Sequence, residues 1–100
     1  SIYGNIFMNT SFEWDDDKER ENLRKHGVDF ETAQYAFIDL KRVIAQDLVH
    51  SESEIRYYCF GKVKGGVLTV RFTYRNNNIR IIGAGYWRKG KKIYEKTNKV

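Results

Sequence analysis

Apolar and polar residues change their spacing several times along the chain, and each change predicts a new element. Residues 11–14 alternate polar and apolar side chains, which is typical of a short strand. Residues 15–26 are strongly polar, with acids first, bases last and Gly27 at the end, which predicts a helix that complements its macrodipole. Leu23 is its one strongly apolar residue, so we expect this helix on the surface.

A second helix is predicted by the spacing of apolar residues after Asp29, which can cap its first turn. Phe30, Ala33, Phe37 and Leu40 recur three or four residues apart. We expect these four side chains to form one buried stripe that packs against the rest of the domain.

Four strand-like runs follow, at residues 42–48, 54–63, 66–75 and 78–86. Lys64-Gly65-Gly66 and Asn76-Asn77-Asn78 separate the last three runs and tolerate positive φ, which predicts antiparallel hairpins. A short basic helix is expected over residues 87–96. The predicted fold is therefore α+β, in the order β-α-α-β-β-β-β-α, with a mainly antiparallel twisted sheet packed by helices.

Length and composition indicate one domain. The chain has 100 residues, of which 41% are hydrophobic and 15% aromatic, enough for a single core. We assign residues 12–100 to that domain and residues 1–11 to an N-terminal extension or a cloning remnant, because Met8 can itself be an initiator. Cys59 is the only cysteine and no apolar run approaches about 18 residues, so we expect a cytoplasmic protein without an internal disulfide or membrane span.

Charge is sorted by position along the chain. Residues 62–100 hold eleven lysines and arginines against one acid, Glu95, for a net charge of +10, and the preceding 61 residues carry −5. A basic half of this kind attracts nucleic acid, because each neutralised phosphate releases counterions. Two other interpretations are a solvated basic face and a docking surface for an acidic partner protein.

Alternation along the predicted strands collects charged side chains on one face of the sheet. This set comprises Glu54, Arg56, Arg71, Arg75 and Arg80. Four arginines for one carboxylate is an unbalanced set for ion pairing, and the planar guanidinium group suits bidentate contact with phosphate. The alternative is an ordinary wet sheet face that is held together by cross-strand ion pairs.

Two glycines stand near the end of the last predicted strand, in Ile82-Gly83-Ala84-Gly85. Their spacing matches neither a Walker loop nor a dinucleotide fingerprint, so we expect a bulge or a close backbone approach. Tyr86 and Trp87 follow and can either stack on bases or anchor the last helix. We favour a core position for Trp87.

The two histidines, His26 and His50, are isolated in the sequence. Neither has a second histidine three or four residues away, so a helix-borne metal pair has no support. His26 either helps to end the first helix or transfers protons near neutral pH.

Several short motifs occur in order between residues 12 and 95. They are Phe12-Glu13-Trp14-Asp15, Lys25-His26-Gly27-Val28 with Phe30 after it, Glu54-x-Arg56, and Ile79-Arg80-Ile81-Ile82 followed by Tyr94-Glu95. Together these motifs resemble the BrnT family of bacterial toxins. The resemblance implies a compact ribonuclease with a RelE-like fold, which needs no cofactor and is neutralised by a BrnA antitoxin encoded beside it.

The chain departs from the common family pattern at one place. Where many members resemble Ile-Ser-Ala-Arg at the end of the last strand, this chain has Ile82-Gly83-Ala84-Gly85. An expected phosphate ligand is therefore missing at Gly85, and Arg88 or Lys89 can supply its charge from another backbone position. Weak catalysis, or binding without catalysis, is the other consequence that this departure allows.

RNA cleavage without a metal needs a proton acceptor near the ribose 2′-hydroxyl, cations at the phosphate and an acid for the departing 5′-oxygen. We assign the catalytic roles to His26, Glu54, Arg56, Arg75 and Arg80. Glu54 or His26 accepts the proton, and the arginines clamp the phosphate. Substrate contacts are assigned to Lys25, Arg71, Tyr86, Arg88 and Lys89.

The predicted function is the toxin of a bacterial type II toxin–antitoxin system, an endoribonuclease that arrests growth. Its expected partners are a BrnA-like antitoxin, an RNA substrate, and operator DNA that is bound only by the toxin–antitoxin complex. The alternative is a non-catalytic module that binds nucleic acid or docks an antitoxin.

Overall fold

The computed structural model describes residues 11–100, and residues 1–10 of the predicted N-terminal extension lie outside the described residues. The strands are β1 (Phe12–Glu13), β2 (Val43–Asp47), β3 (Arg56–Val63), β4 (Gly66–Arg75) and β5 (Asn78–Gly85). The helices are α1 (Asp16–His26), α2 (Phe30–Ala33), a 3-10 helix (Gln34–Ile38) and α3 (Arg88–Asn98). The predicted α+β class and the order β-α-α-β-β-β-β-α are confirmed.

The five strands form one mixed sheet in the order β1-β5-β4-β3-β2. β1 pairs parallel with β5, and the other three pairings are antiparallel, so the sheet is mainly antiparallel as predicted. The hairpins turn at Lys64–Gly65 and Asn76–Asn77, where all four φ angles lie between 52° and 83°. Two successive central residues with positive φ are typical of a type I′ turn, whose twist suits a hairpin.

α1 ends at the predicted residue, His26, and begins one residue after the predicted start, with Asp15 as its cap. The carboxylate of Asp15 accepts a hydrogen bond from the backbone N–H of Lys18 at 3.1 Å, which caps the start. Gly27 ends the helix in the left-handed conformation, with φ of 70°, and its N–H donates to the Leu23 carbonyl. Leu23 itself is exposed, as expected for a surface helix.

One buried amide fastens α1 to the sheet. The side chain of Asn22 donates to the carbonyls of Val28 and Ala84, at 2.8 and 2.9 Å, and accepts from the Ala84 N–H at 3.1 Å. Ala84 lies in the part of β5 beyond the short pairing with β1, which ends at Glu13 opposite Arg80. The Asn22 amide therefore satisfies a strand edge that β1 leaves open.

The second helix is shorter and tighter than predicted. α2 ends at Ala33 and continues as the 3-10 helix, after which Asp39 has an extended backbone. The predicted position of Leu40 in the buried stripe is wrong, because the helix ends at Ile38 and Leu40 is 96% exposed. The Asp39 side chain accepts instead from the backbone N–H groups of Lys41 and Lys62, which draws the chain toward β3.

The main core lies on the sheet face covered by α1, α2 and the 3-10 helix. Its largest buried side chains include Phe12, Phe30, Phe37, Leu68, Phe72 and Ile81. α3 packs on the opposite face, where Tyr94 contacts Phe60 and Val67 and donates a hydrogen bond to Asp39 at 2.6 Å. None of the helices in residues 11–100 has the length and apolar character needed to cross a membrane.

The seating of the 3-10 helix on the sheet yields a stability prediction. Gly61 in β3 lies against the backbone of Ala36, and a methyl group at Gly61 would collide with the Ala36 carbonyl oxygen. Because a backbone carbonyl cannot rotate away, we predict that Gly61→Ala lowers the free energy of unfolding by about 1–3 kcal/mol. Urea denaturation followed by circular dichroism measures this loss.

Gly83→Ala is the matched control, because it adds the same methyl group to a strand glycine that has room for it. The added methyl carbon would lie 3.6 Å from its nearest neighbour, Asn22 Oδ1, which is an ordinary contact distance. We expect this control to unfold close to the wild-type midpoint. Equal stability of the two variants would contradict the proposed close packing.

Candidate active site

The strand register places the predicted arginines on the face opposite the main core. Arg71 in β4 lies opposite Tyr58 in β3, and Thr73 lies between Arg56 on one side and Arg80 on the other. Directly paired residues point to the same side of a sheet, so the predicted shared face of these arginines is confirmed. Glu54 precedes β3 and reaches the same face through an ion pair of 3.2 Å with Arg75.

α3 covers part of this face, and a cleft of about 590 Å³ remains beside it. β3 and β4 form the floor, the segment after β2 forms one wall, and the start of α3 forms the other. The polar and charged residues that line this cleft are Gln46, Asp47, His50, Tyr58, Thr69, Arg71 and Lys89. Trp87, Phe60 and Ile93 are among its apolar lining residues, so the cleft can hold both a phosphate and a base.

Arg71 carries the positive charge on the floor of the cleft. In the part of the chain that the structure describes, Arg71 forms no ion pair, and its buried Nε has no hydrogen-bond partner. The hydroxyl of Thr69, two residues along the same strand, is also buried without a partner among residues 11–100. Because no carboxylate of the described chain neutralises Arg71, its guanidinium charge favours an anionic ligand in the cleft.

The other predicted arginines have carboxylate neighbours. Arg80 pairs with Glu13 at 2.7 Å, and Arg75 pairs with Glu54 at 3.2 Å. Arg56 lies 4.0 Å from the same Glu54 carboxylate. The cross-strand ion pairs that the sequence left as an alternative are therefore present at this end of the face, whereas Arg71 has no such partner in the described chain.

The acidic partner of Arg80 is itself held by several contacts. Asn78 donates to Glu13 at 3.0 Å, and this hydrogen bond lowers the pKa of the Glu13 carboxyl against the opposing effect of burial. The Arg80 guanidinium lowers the same pKa further. Glu13 is thus ionised at neutral pH, which neutralises part of the charge of Arg80.

Two candidate residues lie at the end of α1, outside the lining of the cleft. Lys25 is exposed and pairs with Glu21 at 3.1 Å. His26 makes an edge-on contact with the ring of Trp87, with ring centroids 5.1 Å apart. Trp87 borders the cleft, so His26 contacts a lining residue but does not itself line the cleft.

Tyr86 and Arg88 line a second, smaller hollow with Gly66 and Lys91. The Tyr86 hydroxyl donates to the carbonyl of Val63 at 3.1 Å, which holds this ring against the β3–β4 turn. Of the two residues proposed to replace the missing arginine at Gly85, only Lys89 lines the cleft.

The glycine pair has both features that the sequence predicted. Arg71 pairs with Gly83 and Phe72 with Ile81, which leaves Ile82 as the extra residue of a bulge in β5. At Gly85, a Cβ atom would lie 2.5 Å from the indole ring of Trp87. The Trp87 ring thus occupies the space into which a larger residue at position 85 would project.

Sequence reasoning missed the partnership between Asp47 and His50. His50 Nδ1 lies 3.0 Å from Asp47 Oδ2, and the buried Asp47 also accepts from the backbone N–H groups of Val49 and His50. Burial raises the pKa of the Asp47 carboxyl, but these hydrogen bonds outweigh it and the pKa is lowered overall. The available signal was an acid three residues before a histidine at a strand end.

Tyr58 completes the polar side of this cluster. Burial raises the pKa of the Tyr58 phenol, and the charge of Asp47 raises it further. The phenol therefore stays protonated at neutral pH, and it donates a hydrogen bond to the Asp47 carboxylate.

Comparison with known proteins finds a family whose model matches most of the chain. A family model described as the ribonuclease toxin BrnT of type II toxin–antitoxin systems matches residues 14–90. This span begins at Trp14, before α1, and ends within α3, so it includes every residue that lines the cleft except Ile93. No curated protein matches the chain.

The low pKa of Asp47 leads to a pH-dependent stability prediction. The Asp47 carboxyl has a lower pKa in the folded chain than in the unfolded chain, so the ionised carboxylate stabilises the fold. This contribution is complete at a pH above the pKa of the unfolded chain, and it is lost as the pH falls through the pKa of the folded chain. We predict that Asp47→Asn lowers the free energy of unfolding by about 1–3 kcal/mol near neutral pH. The difference in free energy of unfolding between Asp47→Asn and wild type should become smaller below about pH 4.

Urea denaturation at several pH values measures this difference. Glu52→Gln is the control, because Glu52 is an exposed carboxylate in the same segment. A difference between Asp47→Asn and wild type that is independent of pH would contradict the prediction.

Proposed function

Because the chain belongs to the BrnT family of ribonuclease toxins of type II toxin–antitoxin systems, we propose that it is a metal-independent endoribonuclease that arrests growth by cleaving RNA. The observation that carries the proposal is the cleft on the open sheet face. There Arg71 has no acidic partner in the described chain, and Lys89 adds a second cation from α3. We assign this activity to residues 12–100.

The reaction is attack of a ribose 2′-hydroxyl on the adjacent phosphodiester. Negative charge builds up on the phosphate oxygens during the attack, and cations that are already in place stabilise it. Arg71 and Lys89 hold the scissile phosphate in the cleft. Trp87 and Tyr58 lie beside them and offer aromatic surfaces to a neighbouring base.

Arg56, Arg75 and Arg80 continue the positive surface along the sheet away from the cleft. Their ion pairs with Glu54 and Glu13 keep the guanidinium groups ordered, but the carboxylates partly neutralise the positive charge of this surface. We propose that they bind the phosphates that flank the cleavage site. Lys25, Tyr86 and Arg88 lie outside the cleft and guide the chain at its margins.

A type II toxin has an antitoxin partner as well as an RNA substrate. We propose that a BrnA-like protein covers the arginine face, since one bound protein then blocks both the cleft and the flanking phosphate sites. Operator DNA is bound by the resulting complex and not by the toxin alone. These events take place in the cytoplasm, where RNA and antitoxin are made.

A non-catalytic module that binds nucleic acid is the competing function. The paired arginines on the exposed face favour it, because they can bind phosphates without performing chemistry. The two functions differ in one measurement: a binding module retards RNA and releases it intact, whereas a ribonuclease yields shorter products.

Growth arrest is the first predicted outcome. Induced expression of the chain in a bacterial host should lower colony formation by several orders of magnitude, and co-expression of the antitoxin encoded beside it should restore growth. Counting colonies with and without inducer, and confirming soluble protein by immunoblot, measures the effect. Normal growth with abundant soluble protein would argue against a toxin.

Loss of the cleft cation is the second predicted outcome. Arg71→Ala should lower the single-turnover rate of RNA cleavage by about 10²–10³-fold, because removing one preorganised donor has this effect in comparable sites. Arg20→Ala is the matched control, since Arg20 is an exposed arginine on α1 that pairs with Asp17. Equal rates for Arg71→Ala and Arg20→Ala would place the phosphate site elsewhere.

A further inference from the structure

We infer that His50, positioned by Asp47, accepts the proton of the attacking 2′-hydroxyl in the cleft. This inference rests on the proposed ribonuclease function and adds the residue that performs its proton transfer. It replaces the sequence-based choice between Glu54 and His26, neither of which lines the cleft that holds Arg71 and Lys89.

The contact with Asp47 selects the useful tautomer of His50. An ionised carboxylate only accepts hydrogen bonds, so the 3.0 Å contact between Asp47 Oδ2 and His50 Nδ1 places the proton on Nδ1. Nε2 is then left as an acceptor. The imidazole is 54% exposed, whereas its carboxylate partner is 3% exposed, so a ring that substrate can reach is held by a buried anchor.

The segment that carries His50 is fixed to the sheet at several points. Asp47 is the last residue of β2 and pairs with Arg56 in β3. The Ser51 hydroxyl donates to the Asp47 carbonyl at 2.5 Å and accepts from the backbone N–H of Arg56 at 2.9 Å. These bonds close the turn around His50 and limit its movement relative to the floor of the cleft.

The charged groups around the cleft complete the requirements of the reaction. Asp47 contacts His50 on its own segment, and Tyr58 from β3, Arg71 from β4 and Lys89 from α3 line the same cavity. The cations hold the phosphate, and the imidazole on the opposite wall takes the proton from the neighbouring ribose. An acceptor and the phosphate ligands on three separate elements thus meet at one site.

Glu54 and His26 are poorer candidates for this step. The carboxylate of Glu54 accepts from Arg75 at 3.2 and 3.3 Å, so its oxygens are already engaged by a guanidinium group. His26 faces the ring of Trp87 and forms no ion pair with a carboxylate within residues 11–100.

The 2′-oxygen forms a bond to phosphorus while the bond from phosphorus to the 5′-oxygen breaks, and the 2′ proton moves to Nε2 of His50. The departing 5′-oxygen takes a proton from water, which reaches the open cleft. The products are a 2′,3′-cyclic phosphate and a 5′-hydroxyl, and the imidazolium returns its proton to solvent.

The test is single-turnover cleavage of one labelled RNA by wild type, His50→Ala, Asp47→Asn and His26→Ala, across a range of pH. We expect His50→Ala to lose about 10²–10⁴-fold in rate, in line with general base catalysis. Its affinity for an uncleavable RNA with a 2′-methoxy group at the cleavage site should stay within about twofold of wild type, which corresponds to less than half a kcal/mol.

Two further readouts separate catalysis from a purely structural role of the turn. Added imidazole should restore part of the rate of His50→Ala, and the wild-type loss of rate at acidic pH should be absent from that variant. Asp47→Asn should lower the rate although His50 is present, because an amide can donate to Nδ1 and turn the proton-bearing nitrogen toward substrate. Glu52→Gln, in the same segment, serves as the control and should behave as wild type.

The remaining outcomes argue against His50 as the proton acceptor or against RNA cleavage itself. A folded His50→Ala variant that cleaves at the wild-type rate overturns the role of His50. A slow His50→Ala variant overturns it too, if imidazole does not restore its rate and if its rate still falls at acidic pH. A large loss of cleavage rate in His26→Ala, without such a loss in His50→Ala, assigns the proton transfer to His26. Wild-type protein that binds RNA but releases it intact overturns the ribonuclease function itself.

Discussion

The pairing register of β3, β4 and β5 is the constraint on which the candidate site depends. Side chains alternate across a sheet, so a slip of one residue would exchange the faces of Arg71 and its neighbour Phe72, burying a charge and exposing a fully buried phenylalanine ring of the core. The two short turns at Lys64–Gly65 and Asn76–Asn77 prevent this slip, because all four residues adopt positive φ in loops of fixed length. The basic face is thus a consequence of turn geometry.

α3 determines how much of that face remains open. Gly90 lies directly against Thr69 and the ring of Phe60, so the start of the helix sits very close to the sheet. Tyr94, one turn further on, is buried beside the same Phe60 and is tied to Asp39. The helix therefore covers one end of the face with apolar contacts and leaves the other end, with Arg71, to solvent and ligand.

The elements and the arginine face were predictable because they depend on short-range signals: helix caps, turn residues and the alternation of side chains. Leu40 was misplaced because helical spacing does not reveal where a helix tightens into a 3-10 turn. Two contacts join residues more than sixty positions apart, the ion pair of Arg80 with Glu13 and the hydrogen bond of Asn22 with Ala84. Local sequence patterns cannot predict contacts of this kind. The dyad of Asp47 and His50 is local, but it requires a turn whose closure depends on Ser51 and β3.

The contact of Trp87 with Gly85 constrains the order in which this part of the chain can change during evolution. An indole at position 87 and any side chain at position 85 would occupy the same volume. A substitution at one of these positions is therefore tolerated only together with a change at the other. Replacement of Gly85 by arginine requires that the residue at position 87 becomes smaller or that its ring moves. A larger side chain at position 85 therefore needs a second change at position 87, which stabilises the present pair against single substitutions.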